Sequence, residues 1–182
     1  MHVTEELNLL QQLKSRDKSE SAFRELVTLY KERLYWHIRN IVKSHDDADD
    51  VLQNTFIKVY KNIDGFNGDS KLYSWMYRIA TNESLTFIKK RARQMHISNE
   101  EVNQLAINNL EADIYFDGDV IQLKLQKAIS TLPEKQQLVF NMKYFQEITY
   151  KNMSEILETS EGALKASYHI AVKKVESYLN NN

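Results

Sequence analysis

The scarcity of chain-breaking residues constrains the fold more than any other feature of this sequence. Its 182 residues include one proline and four glycines. Sheet proteins need many turns rich in glycine and proline, whereas long helices need few. Hydrophobic residues make up 42% of the chain, which supplies a core at a length that suits one or two domains. The sequence therefore predicts an all-α protein.

Composition also excludes several kinds of chemistry. The chain contains no cysteine, so it has no disulfides, thiolate zinc sites or cysteine nucleophiles. The histidines lack the spacing that builds a metal site; they are His2, His37, His45, His96 and His169. Neither a glycine-rich phosphate loop nor a nucleophile elbow occurs in the sequence. We therefore expect no enzyme, no metal and no cofactor.

The start of the chain carries Glu5 and Glu6 and lacks the apolar run of a signal peptide. No segment approaches the roughly 18 uninterrupted apolar residues of a membrane span. We therefore expect a cytoplasmic protein that does not insert into a membrane.

Charge divides the chain into three parts, although the net charge is only −1. Residues 1–95 hold 16 basic and 13 acidic residues, and residues 120–182 hold 8 basic and 6 acidic residues. Between them, residues 96–119 hold 6 acidic residues and no lysine or arginine. This pattern predicts two small helical domains joined by an acidic linker, in which Ser98 and Glu101 form a capping box for one short helix.

Apolar periodicity predicts the main helices of the first domain. One helix covers about residues 46–63 and begins with aspartates that suit the positive end of a helix dipole. Its predicted inward face consists of Ala48, Val51, Leu52, Thr55, Phe56, Val59, Tyr60 and Ile63. A turn at 64–69 ends this helix, and the next helix starts near Ser70 and finishes in the basic run 89–93. A weaker pattern around Leu7, Leu10 and Leu13 predicts a short helix near the start of the chain.

Aromatic and basic residues alternate near the beginning of the second of these helices. The aromatic residues are Phe66, Tyr73, Trp75 and Tyr77, and the cations among them are Lys71 and Arg78. Single-stranded nucleic acids bind where bases stack on rings and cations neutralise phosphates. Aromatic stripes also form ordinary hydrophobic cores. The pattern alone leaves both interpretations open.

Residues 149–179 show a helix-turn-helix pattern. A helix from Thr149 to Leu157 is followed by three turn residues and by a longer helix with Ser160 as its N-cap. The longer helix should face inward with Leu164, Tyr168, Ala171, Val175 and Tyr178. Its outward face consists of Glu161, Lys165, Ala166, His169, Ile170 and Lys173. Such a face meets base edges when a helix-turn-helix binds DNA, although the spacing equally predicts a plain helical hairpin.

Five stretches of the sequence are recognisable as a set. They are DADDVLQNTF (47–56), FNGDSKLYSWMYRIATN (66–82), LPEKQ (132–136), ITYKNMSEIL (148–157) and SEGALKASYH (160–169). In this order, with an acidic gap before the third, the chain resembles a bacterial sigma-70-family factor of the small, two-domain extracytoplasmic-function (ECF) type. The resemblance covers nearly the whole chain.

The resemblance implies two roles for the first domain, residues 1–95. The helix near residues 46–60 would dock on core RNA polymerase through Asp50, Gln53, Phe56 and Lys58. The loop and helix that follow would capture the melted promoter −10 element and hold a flipped base. The residues implied in that capture are Phe66, Asn67, Ser70, Lys71, Tyr73, Arg78, Asn82, Lys89 and Lys90, whereas Trp75 would support the loop from the core.

The resemblance also implies that residues 120–182 read the double-stranded −35 element and that the acidic linker, residues 96–119, runs through the polymerase. The −35 residues implied are Ser160, Lys165, Ala166, His169 and Lys173. Phosphate neutralisation dominates DNA affinity, and neither domain has many surplus cations. The free protein, expected to be a monomer, should therefore bind promoter DNA weakly until polymerase fixes both domains. An anti-sigma factor is a further implied partner.

Some residues depart from the family pattern, and two other classes of protein make different predictions. Asn54, on the docking helix, stands where the family usually has an acid. Ala166, Ser167 and Ile170 replace polar or arginine residues common in the recognition helix, so no −35 sequence can be transferred. A helix-turn-helix regulator acting alone would be a homodimer that binds DNA without polymerase. A scaffold that binds only protein would leave the basic run 89–93 and the outward face of the last helix without a role. A sigma factor instead predicts a monomer that co-purifies with core RNA polymerase.

Overall fold

Helices form nearly all the regular structure in the computed structural model of this chain, which describes residues 3–15, 19–108 and 120–181. Within these ranges there are nine α-helices and no strand, which confirms the predicted all-α class. The helices are α1 (Val3–Leu13), α2 (Ser19–Val42), α3 (His45–Asn62), α4 (Leu72–Met95), α5 (Asn99–Asn108), α6 (Val120–Ser130), α7 (Glu134–Tyr144), α8 (Tyr150–Leu157) and α9 (Glu161–Asn181).

Helices α2, α3 and α4 pack on one another and form the first bundle, with α1 against α2. Helix α3 begins where the Ser44 hydroxyl accepts a hydrogen bond from the Asp47 N–H at 3.4 Å, and Asp46 and Asp47 occupy the first turn. Both features stabilise a helix start, because the first N–H groups lack partners within the helix. The predicted inward face of α3 is buried except at one position: Tyr60 was expected inside and is 50% exposed.

The predicted capping box is present at the start of α5. The Ser98 N–H donates to Glu101 Oε2 at 2.7 Å, and the Glu101 N–H donates to the Ser98 hydroxyl at 3.1 Å. These bonds lower the pKa of the Glu101 carboxyl below its usual value. Helix α5 packs on α4 and buries Val102 and Ile107, so this part of the predicted linker is a packed helix. The remainder of that linker, residues 109–119, lies outside the described residues.

Helices α6, α7 and α9 enclose the core of the second bundle. Ala128, Ile129, Phe140, Ala171 and Val175 are buried together there. Helix α8 packs on α9 as the first half of the predicted helix-turn-helix. Thr149 caps α8 by accepting from the Asn152 N–H at 3.3 Å. The Ser160 hydroxyl accepts from the Ala163 N–H at 3.4 Å, which confirms Ser160 as the cap of α9.

The two bundles share part of one hydrophobic core. Helix α8 packs along α4, and α7 touches α2. Met153 and Ile156 of α8 are buried in the same cluster as Leu72 and Met76 of α4. We call this surface, where α7, α8 and the loop between them pack on α2 and α4, the interdomain seam.

Polar groups buried at the interdomain seam link the two bundles. The His37 ring places Nδ1 3.1 Å from Gln146 Oε1 and Nε2 2.8 Å from Thr81 Oγ1. Burial lowers the pKa of His37 to about 4, so the ring is neutral. Lys43 Nζ donates to Gln126 Oε1 of α6 at 2.8 Å, and burial lowers the pKa of this amine to about 7. These groups keep their contacts with the second bundle only while the two bundles stay together.

Other buried polar atoms at the interdomain seam have no hydrogen-bond partner among the described residues. They are Arg78 Nε, Asn141 Oδ1, Gln146 Nε2 and Glu155 Oε2. A buried polar group left without a partner costs about 1–3 kcal/mol. The seam is therefore weaker than its apolar packing alone would make it.

Candidate nucleic-acid interface

The predicted −10 residues lie on α4 and on the loop before it. Asn67, Lys71, Asn82, Lys89 and Lys90 are exposed to solvent. Ser70, Tyr73 and Arg78 are partly buried. The structure therefore spreads these polar side chains from the loop along the length of α4.

Phe66 differs from the other predicted −10 residues because its ring is buried, at 5% exposure. Its centroid lies 5.2 Å from the Trp75 ring, which packs against the main core. Trp75 thus supports the loop, as expected, and Phe66 supports it too. In this arrangement the Phe66 ring has no free face for a base to stack on.

A cleft of about 840 Å³ opens beside the loop at the interdomain seam. Tyr30, Tyr73 and Tyr77 line one side of it, and the loop between α7 and α8 lines the other. The rings of Tyr73 and Tyr77 lie 4.2 Å apart. Burial raises the pKa of Tyr30 to about 12 and raises the pKa of Tyr73 and Tyr77 above the ordinary 10. All three phenols therefore remain neutral, but Tyr30 and Tyr77 are buried, at 7% and 3% exposure, so only Tyr73 presents a partly exposed ring to the cleft.

Two residues that the sequence analysis assigned to no site hold the ends of the loop. Lys14 Nζ, in the turn that follows α1, donates to the Phe66 carbonyl at 2.7 Å. Glu6 Oε1, in α1, accepts from the Leu72 N–H at 2.8 Å. The sequence carried no signal for these bonds, because the partners lie 52 and 66 positions apart.

Helix α8 engages two of the predicted −10 cations. Arg78 Nη1 donates to Glu158 Oε1 at 2.8 Å, and Arg78 Nη2 donates to the Glu155 carbonyl. Lys71 Nζ donates to Asn152 Oδ1 at 3.4 Å. A nucleic-acid strand that used these cations would have to displace α8 from this part of α4.

The predicted −35 residues form an exposed row on α9. Ser160, Lys165, Ala166, His169 and Lys173 are all exposed, as are Glu161 and Ile170 beside them. The predicted inward residues Leu164, Ala171 and Val175 are buried, and Tyr168 and Tyr178 are partly buried. The predicted division of α9 into two faces is therefore confirmed.

Lys165 is the cation of this row whose surroundings are most defined. Its Nζ lies 4.0 Å from Glu161 Oε2 and 5.6 Å from the centroid of the Tyr150 ring. Both contacts are exposed and weak, so they restrain the lysine without neutralising it. The turn before α9 places Glu158 at a left-handed φ of 50°, which directs the chain from α8 into α9.

Two of the predicted docking residues, Gln53 and Phe56, line a groove of about 760 Å³ between α2 and α3. Asp50 and Lys58 are exposed on α3 but do not line this groove. Phe56 itself is only 9% exposed and meets Phe23 edge-on, so it is chiefly a core residue. Lys58 pairs with Glu83 of α4 at 2.5 Å.

Exposed apolar side chains on the groove were missed as candidates for docking. Ile57 and Tyr60 line it and are about half exposed, at 48% and 50%. The Tyr60 ring lies 4.9 Å from Phe23. Tyr60 was assigned to the core because it continues the apolar stripe of α3, and periodicity cannot show that this position lies at the edge of the buried face while Val59 and Ile63 lie inside it.

In the described ranges, no three His, Asp or Glu side chains converge as metal ligands would. None of the described helices combines the length and apolar character that a bilayer crossing requires.

Two family models match the sequence. The model for sigma-70 region 2 matches residues 26–94, and the model for sigma-70 region 4 matches residues 122–175. The first match contains α3, α4 and the loop between them, and the second contains the helix-turn-helix.

Individual relatives are similar over most of the chain. The ECF RNA polymerase sigma factor SigW of Bacillus subtilis is 30% identical over 169 residues, which cover 88% of this chain and 89% of SigW. The ECF RNA polymerase sigma-E factor of Haemophilus influenzae is 25% identical over 179 residues, which cover 93% of this chain and 92% of that protein.

Two solved structures share the fold. CnrH, in complex with the cytosolic domain of CnrY, has a TM-score of 0.70 at 20% identity, covering 97% of this chain and 98% of CnrH. The sigma factor RpoE from Bartonella quintana, in complex with the anti-sigma factor NepR, has a TM-score of 0.66 at 19% identity. That match covers 87% of this chain and 96% of RpoE.

Proposed function

Because this chain belongs to the sigma-70 family of RNA polymerase sigma factors and is of the ECF type, we propose a role in transcription initiation for each part of its structure. As a sigma factor, it directs RNA polymerase to specific promoters. Residues 1–95 dock on core polymerase and read the melted −10 element, and residues 120–182 read the −35 element. Residues 96–119 connect the two domains.

Reading of the −35 element is supported by the exposed row on α9. Lys165, Ala166 and His169 lie on the outward face of its first half, which is the part of a helix-turn-helix that enters the major groove. Lys165 can donate to guanine acceptors, and His169 can donate or accept. Ala166 lets the helix backbone approach the bases closely, and Lys173 neutralises a phosphate further along.

Capture of the −10 element is supported by the cations and rings around α4. Lys71, Arg78, Lys89 and Lys90 would follow the phosphates of an unpaired strand. In the cleft, the partly exposed ring of Tyr73 offers a stacking surface to an unstacked base. Replacing lost stacking requires such contacts, since flipping a base costs a few kcal/mol.

Docking on core polymerase is supported by the groove between α2 and α3. Gln53 supplies a polar contact in it, and Ile57 and Tyr60 supply exposed apolar surface. Asp50 adds an exposed carboxylate on the same helix. Apolar residues in a polar rim are typical of stable protein interfaces. We assign Phe56 to the floor of this groove.

The free chain should read promoter DNA poorly, because the interdomain seam occupies part of the −10 surface. Arg78 is bonded to α8, whereas the row on α9 is open to solvent. Separation of α8 from α4 would release Arg78 and Lys71. Docking of the two domains at different places on polymerase would hold them apart.

The remaining parts of the proposal concern partners and location. The chain acts in the cytoplasm as a monomer when free, and it catalyses no reaction of its own and needs no cofactor. An anti-sigma factor is a further partner, in keeping with the complexes in which both structural neighbours were solved.

The observation that carries the proposal is the presence, in one chain, of an exposed helix-turn-helix row and a cationic helix with a ring-lined cleft. The test is run-off transcription with sigma-free core polymerase on a promoter library. Addition of the chain should produce transcripts from a defined subset of templates, and the chain should elute with the polymerase. Failure both to join the polymerase and to select any start site would refute the proposal.

A further inference from the structure

The loop that joins the first three helices to α4 is held at one end by α1 and at the other by the residue that follows α1. Residues 66–71 form no helix or strand, and Gly68 within them has a φ of 81°. At one end the Lys14 ammonium donates to the Phe66 carbonyl, and at the other the Leu72 N–H donates to the Glu6 carboxylate.

The bond to Glu6 completes the start of α4. Lys71 occupies the N-cap position but, among the described residues, provides no side-chain hydrogen bond to the helix. The first N–H groups of a helix lack partners within it, and a carboxylate there also interacts favourably with the helix dipole. Glu6 therefore supplies from α1 the cap that the local sequence does not.

The bond from Lys14 fixes the other end of the loop. The Phe66 N–H donates to the Ile63 carbonyl and closes the short turn after α3, while the Phe66 carbonyl accepts from Lys14. Hydrogen bonds to a charged donor are stronger than those between neutral groups. The anchor itself is fixed, because Leu9 and Leu13 of α1 are each only 4% exposed and belong to the main core.

We propose that Glu6 and Lys14 are positioning residues that set the shape of the 66–71 loop for capture of the unpaired −10 strand. This inference rests on the proposed function of the loop. Neither side chain needs to touch DNA, since each acts through a backbone group of the loop or of α4. Asn67, Ser70 and Lys71 lie between the two anchors and take their places from them.

The experiment measures binding of the reconstituted holoenzyme to two templates that carry a promoter selected in the run-off assay. One is a fork in which the −10 non-template strand is single-stranded, and the other is duplex through the −35 element only. Glu6→Ala and Lys14→Met should each weaken fork binding about tenfold, the value expected for one lost hydrogen bond to a charged group. Binding to the −35 duplex and to core polymerase should not change.

Conservative variants and a neighbouring exposed residue serve as controls. Glu6→Gln keeps an acceptor oxygen and Lys14→Arg keeps a charged donor, so both should bind the fork within about twofold of wild type. Gln11→Ala changes an exposed residue of the same helix and should have no effect. Unchanged fork binding in Glu6→Ala and Lys14→Met would overturn the inference. Equal losses on both templates would also overturn it, because they would indicate general destabilisation. If wild-type holoenzyme does not bind the fork, the proposed function of the loop fails instead.

Discussion

Acid should destabilise the folded chain through His37 before most carboxylates titrate. The imidazole is buried at the interdomain seam, and burial lowers its pKa to about 4 from the ordinary 6.5. Above pH 6.5 the ring is neutral in both the folded and the unfolded chain, so the stability contributed by the neutral ring is fully present. As the pH falls from 6.5 towards 4, the unfolded chain binds a proton that the folded chain does not, and the free energy of unfolding decreases. Between pH 8 and pH 5 the loss is about 2 kcal/mol.

Lys43 titrates in a different range and can be separated from His37. Burial lowers the pKa of Lys43 to about 7 from 10.5. Its contribution is therefore present above pH 10.5 and is lost as the pH falls from there to about 7. Below pH 7 little further change comes from this lysine, so the decrease between pH 6.5 and pH 5 belongs to His37.

The assay is urea unfolding at a series of pH values between 8 and 5, with His37→Gln as the reference variant. The glutamine amide can hydrogen-bond to Gln146 or Thr81 but does not titrate. The stability advantage of wild type over His37→Gln should shrink by about 2 kcal/mol across this range. A difference that stays constant with pH would refute the assignment of a low pKa to the buried ring.

Three further predictions concern single side chains. Lys165→Ala should reduce transcription from −35-dependent promoters about tenfold in run-off assays, because one base or phosphate contact is lost, while polymerase binding is retained. Equal activity of the variant and wild type on those promoters would show that Lys165 does not contact the −35 element. Phe56→Ala should lower the free energy of unfolding by about 3 kcal/mol in urea, because the ring is buried; an unchanged midpoint would contradict its place in the core. Glu158→Arg should raise the affinity of the free chain for a fluorescent single-stranded DNA of mixed sequence about fivefold, by repelling Arg78 and opening the seam. Glu176→Arg, the same charge change at an exposed site on α9, is its control, and equal gains in both variants would show that α8 does not compete with DNA.

Patterns along the chain were enough to predict helices α3, α4, α8 and α9 and most of the buried sides of α3 and α9. The two faces of α9 were assigned correctly, as was the capping box at Ser98, because both depend on residues three or four positions apart. Phe56 was proposed for docking although it belongs to the buried stripe of its helix, and the structure places it mainly in the core. A short-range pattern gives the inward direction of a side chain but not the depth of the neighbouring helix.

Contacts between distant parts of the chain could not be predicted in this way. Helix α8 was predicted without a partner in the other domain, and the structure shows that part of its buried face lies against α4 of that domain. The spacing of Met153 and Ile156 does not distinguish packing on α9 of the same domain from packing on α4 of the other domain. The anchoring of the 66–71 loop by Glu6 was equally hidden, since a single carboxylate on a short helix has many possible partners.

Because some polar atoms are left unpaired at the interdomain seam, the free energy needed to separate the two bundles is adjustable. Asn141 and Gln146 each keep one partner across the seam and have one buried atom with none among the described residues. Substitutions at these two positions would shift the equilibrium between chains whose bundles are packed together and chains whose bundles are separated. Neither residue belongs to the proposed promoter-reading or polymerase-docking sets. The free energy of separating the bundles could therefore differ between related proteins that select the same genes.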